Sequence, residues 1–234
     1  DVTVTATITE GATGTITYYV DGSTVGTELA IGQNFVISGL SAGEHNVTAK
    51  YAGDDLYGPT ESNVLKFTVA KAELVITIDS AQTYYPNTGT VEVSANNDGV
   101  YTINVNDKPY TVTIANGKGT FEVTEVLAVA EYPITWDIAE SENYTGATGS
   151  AVYKVLNTEP DFSITGDSEI DYGNTNTIVP TINEDATGTI TYYINGVEVT
   201  TLGLKENFVT DVLNVGPYTV TATYSGDTNY GSKT

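Results

Sequence analysis

Few residues in this chain of 234 could do chemistry, and their types narrow what that chemistry could be. There is one histidine, His45, and no cysteine, so thiolate metal sites, disulfides and His-rich centres are excluded. A catalytic triad would need that lone His45 beside a nucleophile and an orienting acid. Yet its counterparts at matching places along the chain are Tyr132 and Tyr218. The three therefore read as one structural corner, an aromatic whose polar tip bonds back to the loop backbone. Thirty acidic residues are spread along the chain without long runs and no pair is marked out, so glycoside-hydrolase chemistry has no candidate residues. The expectation is that the chain is not an enzyme.

The acids suggest one other chemistry. Asp54 and Asp55, Glu142, and Asp227 fall in loops at equivalent places. Hard cations are held by six to eight oxygens from several carboxylates and carbonyls, which makes Asp54, Asp55 and Asp227 candidate calcium ligands. The loops lack an Asp-x-Asp-x-Asp-Gly pattern, and the competing reading is turn chemistry. No cofactor is otherwise expected. Eight lysines, no arginine and a net charge of −22 exclude nucleic acid and disfavour anionic membranes. No apolar run approaches the roughly 18 residues of a membrane span. Tyr19 and Tyr193 are expected to point outward and could stack on a sugar. Asn46-Val47-Thr48 and Asn143-Tyr144-Thr145 are acceptor sequences for N-glycosylation. Lys66 and Lys154 alternate against apolar neighbours and are expected to face solvent, which argues against lysine cross-links.

These residues are positioned by a repeat. Ala12-Thr13-Gly14-Thr15-Ile16-Thr17-Tyr18-Tyr19 recurs unchanged at Ala186–Tyr193, with a looser copy at Asp98–Val105. Gly14, Gly99 and Gly188 stand 85 and 89 residues apart, and Tyr57, Tyr144 and Tyr230 stand 87 and 86 apart. That period is too long for a solenoid and suits a complete domain of about seven strands. Alternation predicts strands at Val2–Ile8, Gly14–Val20, Ser23–Ala30, Asn34–Ile37, Asn46–Tyr51 and Asn63–Val69 in the first repeat, with Ile16, Tyr18 and Val20 inward. The second repeat is expected to place strands at 74–78, 90–95, 100–105, 110–114, 120–123, 134–138 and 150–155, and the third a long one at Tyr218–Tyr224. Asp21-Gly22 marks a tight turn. No segment has a helical period. The fold expected is all-β, with tandem β-sandwiches at 1–70, 71–156 and 157–234. The first reads as lacking its first strand and the third its last, which predicts a longer array or a strand supplied by a neighbouring chain. The junctions at Ala70–Glu73 and Asn157–Pro160 are short and not Gly/Ser-rich, so an elongated, semi-rigid file is expected.

The run Gly14 to Gly22, then Phe35, then Leu40, Gly43, His45, Val47-Thr48-Ala49, Tyr51 and Gly53-Asp54 resembles the bacterial immunoglobulin-like repeats of prokaryotic adhesin-like surface proteins. Its composition is most like the archaeal members. Gly188–Gly196, Phe208 and Leu213–Asp227 carry the same pattern. The middle repeat diverges, with Trp136 where the others have Ala49 and Ala222. The resemblance implies three immunoglobulin-like domains, an extracellular, cell-surface location, and a structural stalk that projects a binding region, with neighbouring repeats as partners. Two alternatives stand beside it: an adhesive module that binds a host or cell-surface glycan or protein directly, and a filament subunit assembling by strand complementation.

Overall fold

The computed structural model describes residues 1–25 and 28–234. Every described element is a strand, and no helix among the described residues is long and apolar enough to cross a membrane. The chain forms two compact units: Asp1–Val75 with Ile138–Ala147, and Ile76–Asp137 with Thr148–Thr234.

In the first unit, Thr15–Val20 pairs antiparallel with Gly43–Tyr51, setting Ile16 opposite Tyr51, Tyr18 opposite Ala49 and Val20 opposite Val47. Leu65–Val69 pairs with the first half of Gly43–Tyr51 and Thr60–Glu61 with its end, while Ser23–Thr24 and Leu29–Ala30 pair with Thr15–Val20. Facing this sheet is the pair Val2–Thr5 and Asn34–Ile37. The inward side chains pack as expected for strands with one wet face. Ile16, Tyr18, Val20, Ile37, Val47, Ala49 and Tyr51 are buried, Val4 and Phe35 pack on them, and Tyr18 stacks on Phe35 at 4.8 Å. Ala49 is small because the Tyr18 ring lies opposite it.

Some bounds differ from expectation. The first strand stops at Thr5, because the next amide, Ala6, donates to the Tyr18 hydroxyl at 2.8 Å. The long strand starts at Gly43, three residues early, since Leu65–Val69 supplies ladder partners from there. The expected edge strand Ser23–Ala30 is seen as two short pieces, and its residues 26 and 27 lie outside the described residues. Asp21 and Gly22 adopt φ of 49° and 77°, the left-handed pair of a tight hairpin turn.

In the second unit, one sheet runs Ala81–Tyr84, Ala147–Leu156, Ala130–Ile138, Gly99–Val105, Lys108–Ile114, and a second runs Lys118–Val123, Gly89–Ala95, Ile76–Thr77. Val91, Val93, Ile103, Val112, Ile134 and Tyr153 are fully or nearly fully buried. Ala81–Tyr84 was not expected; it pairs in parallel with Tyr153–Leu156. Trp136 is accommodated by Gly149: a Cβ there would lie 2.2 Å from the indole. Toward the carboxyl end, Ser163–Thr165, Thr177–Thr181 and Phe208–Val209 form one sheet, and Val197–Gly203, Thr189–Ile194 and Val220–Tyr224 the other. Ile178, Ile190, Tyr192, Phe208 and Ala222 form the core cluster there.

The two copies of the repeated octapeptide differ in one buried bond. Val4 lies opposite Phe35, and Ile178 opposite Phe208, so Ala6 corresponds to Pro180. Proline has no N–H, and the buried Tyr192 hydroxyl, unlike that of Tyr18, has no partner among the described residues. An unsatisfied buried hydroxyl costs roughly 1–3 kcal/mol. Replacing Tyr192 by Phe is therefore expected to leave stability unchanged or raise it, whereas Tyr18→Phe strands the Ala6 amide and lowers stability by about 1 kcal/mol. Urea unfolding of both variants reads the contrast, and a destabilised Tyr192→Phe variant would refute it.

Candidate functional site

Two of the three aspartates named as candidate calcium ligands, Asp54 and Asp227, hold the repeated stretch in place. Asp54 Oδ2 accepts from the Thr13 amide at 2.7 Å and the Thr13 hydroxyl at 3.0 Å, and its Oδ1 accepts from the amides of Leu56 and Tyr57 at 2.9 and 2.7 Å. Asp227 repeats this bond for bond with Thr187, Asn229 and Tyr230, at 2.6, 3.0, 2.8 and 2.8 Å. Four donors occupy each carboxylate, which is the turn chemistry that competes with the cation reading. The Thr13 and Thr187 carbonyls in turn accept from Tyr51 and Tyr224, each at 2.7 Å. Gly14 and Gly188 follow with φ of 101° and 106°, which explains the invariance of Thr-Gly between the copies.

The electrostatics follow from these bonds. The Thr13 amide, with those of Leu56 and Tyr57, holds the Asp54 carboxyl well below its ordinary range. Burial opposes ionisation of Asp227, but the amides of Thr187, Tyr230 and Asn229 outweigh it and hold the carboxyl at about 2. Burial, then the Asp227 carboxylate, pushes the Tyr224 hydroxyl up to about 12, so it remains a donor. Asp55 is exposed in the same loop. Among the described residues no three His, Asp or Glu side chains are grouped as a metal would require. In the middle repeat the loop carries Ser141, whose hydroxyl accepts from the Tyr144 amide at 3.2 Å. Glu142 is exposed there. Asp98 supplies the repeat's carboxylate, accepting from the amides of Asn116 and Gly117, both at 2.8 Å.

Two of the three corner residues sit alike. Buried His45 places Nε2 2.9 Å from the Ser41 carbonyl and Nδ1 2.7 Å from Asp21 Oδ2. The Tyr132 hydroxyl donates to the Ala128 carbonyl at 2.8 Å, four residues back as in the histidine corner. Tyr218 does not: it is 39% exposed and its hydroxyl has no partner among the described residues. His45 and Tyr132 lie within strands, Gly43–Tyr51 and Ala130–Ile138, whereas Tyr218 follows Pro217 and precedes the strand, which begins at Val220. Without ladder bonds to orient it, Tyr218 lines a cleft of about 540 Å³ with Ile164, Ile178 and Leu213.

Tyr19 is half-buried and Lys50 lies over its ring at 5.0 Å, so that face is taken. Tyr193 is half-buried on Thr189–Ile194. Asn46 is exposed, its amide donating to Asp21. Asn143 is exposed, yet its side-chain carbonyl accepts from the Ala42 amide at 2.7 Å. Lys66 is exposed, and Lys154 pairs on the surface with Glu131 at 2.6 Å.

Sequence reasoning missed the linkers and one carboxylate. Ala72 pairs in parallel with Tyr144, its amide donating to Asn143 and its carbonyl accepting from Thr145. Thr158 pairs in the same way with Tyr230. Asp185 lies between two phenols, accepting from Tyr85 at 2.5 Å and Tyr230 at 2.8 Å. The recurrence of Tyr57, Tyr144 and Tyr230 in matching loops was the available signal; nothing near Tyr85 gave one.

Two pH effects follow. The carboxyls of Asp54 and Asp227 are depressed, so their stabilisation is present above the unfolded carboxyl pKa near about 3.9 and is lost as pH falls toward the folded value. Asp227→Asn puts an amide N–H against a backbone N–H; it is expected to lower the melting temperature at neutral pH and to flatten its fall between about pH 4 and about pH 2. Histidine has the opposite sign. The Asp21 carboxylate, then the Ser41 carbonyl, raises the His45 pKa. Its stabilisation is complete below about pH 6.5 and is lost as pH rises through the raised value. The melting temperature of wild type should fall across that window relative to His45→Tyr, and parallel curves would contradict the assignment.

Residues 1–70 match the family model described as bacterial Ig-like domain (group 3). Among curated proteins none matches the chain. Solved structures with similarity include the I9–I11 tandem from titin (16% identity, 88% of this chain and 83% of that one, TM-score 0.32). The three N-terminal domains of the bacteriophage RB49 outer capsid protein Hoc show 16% identity over 94% and 83%, with a TM-score of 0.29. The fibronectin(III)-like modules of Clostridium thermocellum CbhA show 10% identity over 66% and 85%, also at 0.29. These overlaps are too loose to carry an inference about this chain, and the family assignment rests on the amino-terminal match. Residues 1–70 are a bacterial Ig-like domain.

Proposed function

We propose that the chain is a stalk segment of an adhesin-like, extracellular cell-surface protein, non-catalytic, built from three tandem immunoglobulin-like sandwiches at 1–70, 71–156 and 157–234. Its role is to set the distance between the cell and a binding region carried elsewhere. One observation carries this reading: each linker is itself hydrogen-bonded backbone. Ala72 and Thr158 each pair in parallel with the tyrosine of the loop in the repeat that follows. A linker bound in this way restrains its flanking residues, as a spacer requires, where a free Gly/Ser linker would not.

The side chains offer further support. The groups suited to chemistry are engaged inside the fold: Asp54 and Asp227 hold loops, and His45 and Tyr132 close corners. The large net negative charge of −22 suits a surface that does not adhere to its own kind or to anionic cell envelopes.

Antibody raised against residues 1–234 is expected to label intact cells. Excising residues 71–156 from the parent protein should weaken cell attachment while the isolated binding region keeps its affinity. Purified 1–234 should bind neither cells nor a glycan array. Saturable binding by this segment alone would replace the spacer reading with that of a direct adhesive module.

A further inference from the structure

We infer that a single peptide group in each corner, Ser41–Ala42 and its counterpart Ala128–Val129, is the docking site through which a sandwich receives its successor, and that the primary amide of an asparagine in the successor's loop is the group that recognises it. The proposal rests on the tandem reading given above.

Both ends of each peptide dipole are occupied, from opposite directions. The carbonyl of Ser41 accepts from His45 of its own sandwich, and the N–H of the same peptide, on Ala42, donates to Asn143 Oδ1 at 2.7 Å. At the second place the Ala128 carbonyl accepts from Tyr132, and the Val129 N–H points to Asn229 Oδ1 at 3.5 Å, a longer approach with the same partners. Asn143 and Asn229 occupy the same loop position, one residue before Tyr144 and Tyr230, and their own backbone carbonyls accept from the linker amides of Ala72 and Thr158. One asparagine therefore holds the linker with its main chain and the preceding corner with its side chain. The corner aromatic acts as a positioning residue: by fixing the carbonyl it fixes the direction of the N–H that the asparagine meets.

The first repeat carries Leu56 at this loop position, 84% exposed. Its loop has the same backbone bond, Asp54 N–H to the Tyr57 carbonyl at 2.8 Å, matching Ser141 to Tyr144 and Asp227 to Tyr230, both at 2.9 Å. The loop conformation therefore does not require asparagine, and the residue before the tyrosine is free to encode docking. At Tyr218, where the corner bond is not made, the corresponding residue Val215 is 89% exposed.

Amide hydrogen exchange on the chain 1–234 tests this. Asn143→Ala and Asn143→Leu should each speed exchange at Ala42 by about five- to tenfold, the loss of one neutral hydrogen bond. Exchange at Val47–Tyr51 should stay unchanged. The neighbouring exposed Glu142→Ala serves as control and should leave Ala42 protected. Unchanged exchange at Ala42 in both Asn143 variants, or equal loss in the Glu142 control, overturns the assignment. Failure of the spacer reading alone would leave the Ala42 result intact.

Discussion

An aspartate carboxylate with four hydrogen-bond donors has no acceptor capacity left to trade. At Asp54 and Asp227 that saturation joins a loop to the start of the strand carrying the inward tyrosine, and the rest of each outer sandwich depends on it. The threonine that donates twice also presents its carbonyl to a second tyrosine, so a single residue is fixed through its amide, hydroxyl and carbonyl. The glycine after it takes the backbone through the left-handed region, and the strand then runs with its apolar face inward. A chain without cysteine obtains from this cluster the local rigidity that disulfides provide elsewhere.

The middle repeat reaches the same end by other residues. It lacks the loop aspartate and uses a serine there, and its carboxylate, Asp98, caps a different turn. Its core is larger at one point, where Trp136 fills the place of an alanine and Gly149 on the adjacent strand gives up its side chain. In the first repeat the residue at the place of Gly149 is Ser62, whose hydroxyl accepts from the Ala49 amide at 2.9 Å. The missing side chain at Gly149 leaves the space into which the larger indole reaches, since a close-packed core has none to spare.

What could be read directly from the chain was what depends on local period. Thr15–Val20 alternates because one of its faces is wet, and its inward residues were assignable by counting. Ala81–Tyr84 has no such signature: it is held by parallel pairing to a strand some seventy residues later, a relation that local pattern cannot encode. The loop aspartates could be located, but a carboxylate beside glycine fits a cation site and a turn equally well, so both readings stood open. The discriminating fact was the recurrence of Thr-Gly with Asp in both outer repeats. Tyr218 was misassigned because alignment gives position but not the ladder bonds that aim a side chain. The linkers looked like short connectors, and their pairing required the loops of the next repeat to be in view.

The indole accommodated by Gly149 belongs to the only tryptophan in the chain, and it is buried at 8% exposure. Its emission therefore samples one neighbourhood, between Ala130–Ile138 and Ala147–Leu156, and is blind to events in the outer repeats except as they reach it. Seventeen tyrosines are distributed through the whole chain. Excitation selective for indole, set beside the summed phenol signal, separates the unfolding of the middle repeat from that of its neighbours with no label added.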